Sequence, residues 1–267
     1  MTEAGEIGYG GGMQVTFSMV ALLVILVGMP SSAIAQCASP VVVLHGWGGF
    51  TGGVTAVVEQ LQDEGRTVVI PEILPSSEED DVDDLVAIAR TQIPSALRAA
   101  GCALEEAVDL VGYSLGGLLG WLLLHDDASE QALGVAVRHV VLVAAPLVGP
   151  GAPLAAMACR HLPSDPWRGV SCDLAPFSRR WGEAVRSTPK LSDGGSVHVI
   201  GVAGWDPVVP QKAMQVEANS RWFWRGAYLR RHTRLMCNSV VVAQIVARLA
   251  GDQSPADNQP LHNLCSM

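Results

Sequence analysis

The sequence predicts an α/β fold, a mostly parallel sheet of about six strands with helices on both faces and a small cap. Three observations carry this reading. Short β-branched runs recur along the chain, helical patterns lie between them, and the runs are continuously apolar rather than alternating, as strands covered on both faces should be. The runs are Val41–His45, Thr67–Ile70, Ala107–Val111, Arg138–Ala144 and Ser196–Val202, with Trp222–Leu229 as the expected last strand. The helical patterns cover about 54–64, 80–100, 115–126 and 236–250. One stretch, about 147–195, breaks the rhythm. It is rich in Pro, Gly and Arg, too long for a plain connection, and keeps Trp167, Phe177 and Trp181 to pack with, so it is expected to form the cap.

Composition narrows the function. The chain has 267 residues, 49% hydrophobic and 16% charged, enough for one sizeable core. Its net charge is −9, with 17 Lys+Arg against 26 Asp+Glu, and no basic patch that would hold nucleic acid. The six cysteines form no pair with zinc-like spacing, so neither a metal nor another cofactor is indicated.

Residues 1–35 read differently from the rest. The apolar run Val15–Met29 is shorter than the ~20 residues of a membrane span. It fits the core of a signal peptide ending in Ala33-Ile34-Ala35, with cleavage before Gln36 and a secreted or periplasmic destination. No Lys or Arg precedes the run, which departs from that pattern. The alternative is an uncleaved segment that anchors the chain to a membrane. The expected main domain is 36–267, with a polar tail at about 251–267.

Chemistry concentrates at Gly112-Tyr113-Ser114-Leu115-Gly116-Gly117, where an apolar strand breaks into glycines around one serine. A strand that turns this sharply into a helix has room only for small residues beside the serine, and the turn lifts the hydroxyl out at the carboxyl edge of the sheet. A serine hydroxyl becomes nucleophilic when an imidazole takes its proton, and the imidazole needs an acid to fix its tautomer and stabilise its charge. Asp206 follows the strand Ser196–Val202 and is fenced by Pro207 and Pro210. Among seven histidines, His232 alone lies after Asp206 and just before the final helix; His139 and His198 lie inside strands, and His262 in the tail. Charge developing on a substrate oxygen requires preorganised amides. The candidates are those of Leu115 and of Trp47, the latter in the Gly-rich loop His45–Gly49.

These segments resemble those of the α/β-hydrolase family, and in particular its small bacterial-type triacylglycerol lipases, over roughly Pro40 to Leu249. HGWGG resembles the oxyanion loop, GYSLGG the turn that carries the nucleophile, GWDPVVP the acid loop, and HTRLMCNSVVVAQI the histidine with its helix. CDLAPFSRRW resembles a cap segment, with Phe177 where a glycine is usual. Arg231 stands where a glycine commonly precedes the histidine, and Trp47 is bulky for its loop. The resemblance implies a secreted serine hydrolase of lipid esters, acting through Ser114, Asp206 and His232 and an acyl-enzyme. An acyltransferase or thioesterase with the same residues, or a non-catalytic lipid-binding relative, is the alternative reading. In such a fold Cys37 and Cys102 precede neighbouring strands at the edge opposite the serine and are expected to pair. Cys159 with Cys172 and Cys237 with Cys265 then complete three disulfides, as an oxidising compartment produces.

Two further features complete the reading. The acidic run Glu78–Asp84 precedes a helical pattern and is read as complementing a helix dipole in preference to holding a cation. The Arg-rich stretch Arg221–Arg234 is a candidate for transient contact with anionic lipid surfaces, although strand packing explains its aromatics equally well. Oligomeric state is left open.

Overall fold

The computed structural model describes residues 37–49, 53–125, 133–148, 152–182, 186–192, 194–203, 206, 208–224 and 232–252. The chain divides between Gln36 and Cys37, and the fold described is that of the second unit. Among the described residues six strands form one sheet in the order β2-β1-β3-β4-β5-β6, every neighbouring pair parallel. They are β1 (Val41–Leu44), β2 (Val68–Val69), β3 (Val108–Tyr113), β4 (Val137–Val143), β5 (Ser196–Val202) and β6 (Ser220–Trp224).

Among the described residues six α-helices accompany them, the last following β6: α1 (Thr55–Asp63), α2 (Val82–Ala99), α3 (Leu115–His125), α4 (Pro153–His161), α5 (Arg168–Leu174) and α6 (Ser239–Leu249). Successive strand residues point to opposite faces, and both faces are apolar here. Val42, Leu44, Leu110 and Leu142 share a core with Leu85 and Ile93 of α2 and Leu118 of α3. Val41, Val43, Val111 and Val143 share the other with Val57 of α1 and Val241 and Ile245 of α6. That is why the strands read as unbroken hydrophobic runs rather than as alternations.

The strand bounds differ modestly from expectation. β3 runs two residues further, to Tyr113, because Gly112 and Tyr113 keep pairing with Leu142 and Val143 of β4. β6 begins at Ser220, which pairs with His198; residues 225–231 of the expected last strand lie outside those described. The acidic run starts α2 as a capping box: Asp81 accepts the amides of Asp83 and Asp84, and Asp84 accepts that of Asp81. Asp80 binds the amides and hydroxyls of Ser76 and Ser77, and the Ser76 amide above all lowers its pKa to about 2. No group of side chains suited to a metal ion occurs among the described residues.

Cys37–Cys102 and Cys159–Cys172 are disulfides, with Cα atoms 4.9 and 4.8 Å apart. Cys237 is disulfide-bonded as well; Cys265 and the proposed leader lie outside the described residues. The segment between β4 and β5 holds α4, α5 and a 3-10 turn at Arg179–Gly182. Trp167 there is buried, but Phe177 is 55% exposed, with Arg160 stacked over its ring, so it does not pack inward as its sequence context implied.

Candidate active site

The carboxyl ends of four parallel strands converge on one spot. β1 leads into His45-Gly46-Trp47, β3 into Ser114, β5 toward Asp206, and β6 toward His232. Ser114 adopts φ 54°, a left-handed conformation that costs roughly 1–2 kcal/mol for a residue with a Cβ. The turn is held by Ser114 N–H on the Val143 carbonyl (2.8 Å) and by the Gly117 amide on the Ser114 carbonyl (3.0 Å). The glycines are dictated by proximity. A Cβ on Gly116 would collide with the carbonyls of Leu44 and His45, and one on Gly117 with Ala145.

Ser114, Asp206 and His232 meet although 92 residues of sequence separate the first two and another 26 the last two. The three are 7%, 2% and 6% exposed, so their mutual hydrogen bonds are shielded from water. Nδ1 of His232 lies 3.0 Å from Oδ2 of Asp206, and Nε2 lies 2.9 Å from Oγ of Ser114. A carboxylate only accepts, so Nδ1 carries the proton and Nε2 is left to accept from the serine hydroxyl. Asp206 Oδ1 accepts the amides of Val208 (2.8 Å) and Val209 (3.1 Å). Burial opposes the charge on Asp206, but the His232 contact and these amides outweigh it and lower its pKa. The acid is thereby held ionised beside the imidazole.

A cavity of about 520 Å³ opens over these groups. Gly46, Trp47, Ser114, Leu115 and His232 line it together with Ala152, Leu154, Ala155, Ala158 and Leu174 of the α4–α5 segment. Trp47 is 44% exposed and meets Trp167 edge-on, ring centroids 6.2 Å apart. Leu115 is buried at the head of α3. Sequence reasoning missed Tyr113, which also lines the cavity and whose hydroxyl donates to the His232 carbonyl at 2.8 Å. It missed as well the cluster at the opposite sheet edge, where buried Asp109 accepts Arg138 twice at 3.0 Å and pairs with Arg66.

The family model described as "Alpha/beta hydrolase family" matches residues 41–261. The chain belongs to that family. Solved structures are similar to the chain at low identity. An esterase from Pyrobaculum calidifontis is 16% identical at TM-score 0.50, covering 81% of this hydrolase-family chain and 77% of its own. Bacillus licheniformis lipase BlEst2 is 16% identical at TM-score 0.48, covering 73% and 89%. Phospholipase PlaB from Legionella pneumophila, in complex with thio-NAD, is 17% identical at TM-score 0.45, covering 62% and 38%. The chain thus spans less than two fifths of that phospholipase. No curated protein matches the sequence.

Proposed function

We propose that the protein is a secreted serine hydrolase of lipid carboxylic esters, working through an acyl-enzyme. The observation that carries the reading is the continuous Asp206–His232–Ser114 hydrogen-bond chain facing an apolar cavity. In the reaction, Ser114 Oγ attacks the ester carbonyl carbon while its proton passes to His232 Nε2. Asp206 stabilises the imidazolium, and the amides of Trp47 and Leu115 receive the oxyanion. The tetrahedral adduct expels the alcohol, which takes the proton from His232. Water then gives a proton to His232, attacks the acyl carbon, and releases the acid with Ser114 restored.

The lipid character of the substrate is supported by the alanine and leucine side chains of the cavity wall, against which an acyl chain gains free energy by leaving water. Leu154 and Met157 of α4, with Leu162, Phe177 and Trp47, are exposed large hydrophobics. Four of these side chains lie in the segment read as the cap and Trp47 in the loop after β1, and they support transient lipid contact there in addition to the Arg221–Arg234 stretch, of which residues 225–231 lie outside those described. Secretion is supported by the disulfides, which persist in oxidising compartments. Among the described residues no helix is long and apolar enough to cross a membrane.

The test is hydrolysis of nitrophenyl esters from two-carbon to long acyl chains, with fluorophosphonate labelling. Longer chains should be preferred, and Ser114→Ala should abolish both labelling and turnover while the fold persists. Wild-type turnover in the alanine variant overturns the mechanism. Faster turnover of thioesters, or acyl transfer to an added alcohol in preference to water, favours the alternative reading.

A further inference from the structure

We propose that Tyr113 is a positioning residue that holds His232 in line with Ser114, an inference that rests on the function proposed above. The two residues lie 119 positions apart, yet make two separate contacts. The phenol O–H donates to the His232 carbonyl at 2.8 Å, and the two rings lie face-near, centroids 5.4 Å apart and tilted by 32°. The first contact fixes the backbone of the base loop, and the second restrains rotation of the imidazole.

Tyr113 suits this role because its own backbone does not yield. It ends β3, pairs with Val143 of β4, and passes directly into the Ser114 turn. A displacement of His232 relative to Tyr113 is therefore a displacement relative to the nucleophile. One edge of the phenol ring also meets the first-strand loop. A Cβ on Gly46 would lie 3.3 Å from both Cδ1 and Cε1 of the ring, and one on Gly53 3.9 Å from Cε1. The ring thus contacts both the loop carrying Trp47 and the loop carrying His232, with Ser114 adjoining it in sequence. A chain of three loops from distant parts of the sequence is referenced to one rigid side chain.

The hydroxyl is also a dependable donor. Burial first, and the Asp206 carboxylate second, push the phenol pKa up, so it stays protonated across the range in which an ester hydrolase works. Losing this bond should let His232 drift by a fraction of an ångström to an ångström, and misplacement on that scale costs up to ~10²-fold in rate.

The discriminating variant is Tyr113→Phe, which keeps the ring and removes the hydroxyl. Its kcat and the rate at which fluorophosphonate labels Ser114 should fall together by roughly 10-fold or more, with KM for short and long esters unchanged and the thermal midpoint retained. A labelling rate within about twofold of wild type, or a raised KM with kcat intact, overturns the proposal; the latter would make Tyr113 merely a wall of the cavity. A second measurement does not depend on the variant folding. The chain has only three tyrosines, so trifluorotyrosine can replace them, with Tyr9→Phe and Tyr228→Phe leaving the analogue at position 113 alone. Its more acidic phenol ceases to donate once ionised, so kcat should acquire a descending alkaline limb that the natural protein lacks. A profile identical to that of the natural protein overturns the proposal. Failure of the underlying reading looks different, since there Ser114→Ala itself retains turnover.

Discussion

Arg180 forms an ion pair with Asp83 at 2.9 Å, and the same guanidinium nitrogen lies 3.2 Å from Asp173. Asp83 belongs to the first turn of α2 and Asp173 to α5, so one cation joins the sheet-covering helix to the segment that lines the cavity. The Val82 amide donates to Asp173 at 3.2 Å, and the Gly169 amide to the Glu78 carbonyl at 3.0 Å. The acidic run therefore has two uses: it caps α2, and it fastens α5 beside it. A Cβ at position 169 would collide with the Asp80 carbonyl, so glycine is required for this docking.

Arg180→Ala should destabilise the protein by about 1–2 kcal/mol, since Asp173 then keeps only an amide partner. Asp83→Asn should cost under ~0.5 kcal/mol, because its side chain is 75% exposed and water replaces the pair. Chemical denaturation of both variants measures this. Equal losses would mean that the exposed carboxylate, rather than Asp173, is the partner that matters.

Asp206→Asn should preserve the fold and lower turnover of nitrophenyl esters by roughly 10⁴, the scale seen when a triad acid is neutralised. Asp165 and Asp173, two acids of the segment between β4 and β5, already have other duties: Asp165 accepts the Trp167 amide at 2.8 Å, and Asp173 holds Val82 and Arg180. Their asparagine variants should turn over within a few fold of wild type. A severe loss confined to either one would move the acid there.

The parallel sheet was legible in the sequence because burial on both faces leaves a local trace, an unbroken run such as Val41–Leu44. The Ser114 turn was legible because Gly112, Gly116 and Gly117 are each demanded by a nearby backbone or side chain. Tyr113 was not, since its partner is a carbonyl group 119 residues away and any large residue fits the same gap in the glycine pattern. The bulk of the cavity wall was equally hidden. Ala152, Ala155 and Ala158 acquire meaning only once α4 lies across the carboxyl edge, and alanine at such spacing otherwise reads as helix propensity. Phe177 misled for the converse reason: an aromatic residue signals available packing area without saying whether anything covers it.

Ala158→Phe tests the acyl wall. Ala158 is only partly buried on α4 and lines the cavity, so a larger side chain can fill space that a long acyl chain would occupy without opening the core. kcat/KM for long-chain nitrophenyl esters should fall about 10-fold or more, in keeping with ~1–3 kcal/mol for a few lost methylene contacts. The two-carbon ester should be hydrolysed at close to the original rate. A uniform loss across the series would mean that Ala158 faces the reacting centre instead of the chain.

The pH dependence of stability should be dominated below neutrality by His198. This residue is 1% exposed in β5, where Nε2 lies 2.8 Å from Ser196 Oγ and Nδ1 2.8 Å from Ser220 Oγ. The charged and titratable groups acting on it are Arg248 of α6 and His139 of β4, the latter bonded to the same Ser196 hydroxyl at 2.8 Å. Burial first, then Arg248 and His139, lower its pKa to about 4. In the unfolded chain the value returns to about 6.5. Between these two values the unfolded state binds the proton more readily, so the stabilisation is complete above pH ~6.5 and is lost as pH falls toward 4. His139, also lowered by burial, adds to the loss with the same sign. The Asp206 contribution is instead present above the ordinary carboxylate value and disappears as pH falls through its lowered pKa, beneath most of this window. Thermal unfolding at pH 7 and 4.5 should therefore show a clear fall in midpoint for the natural protein and a smaller fall for His198→Gln, which keeps hydrogen-bonding atoms without a proton to gain. An equal fall in both would place the acid-sensitive group elsewhere.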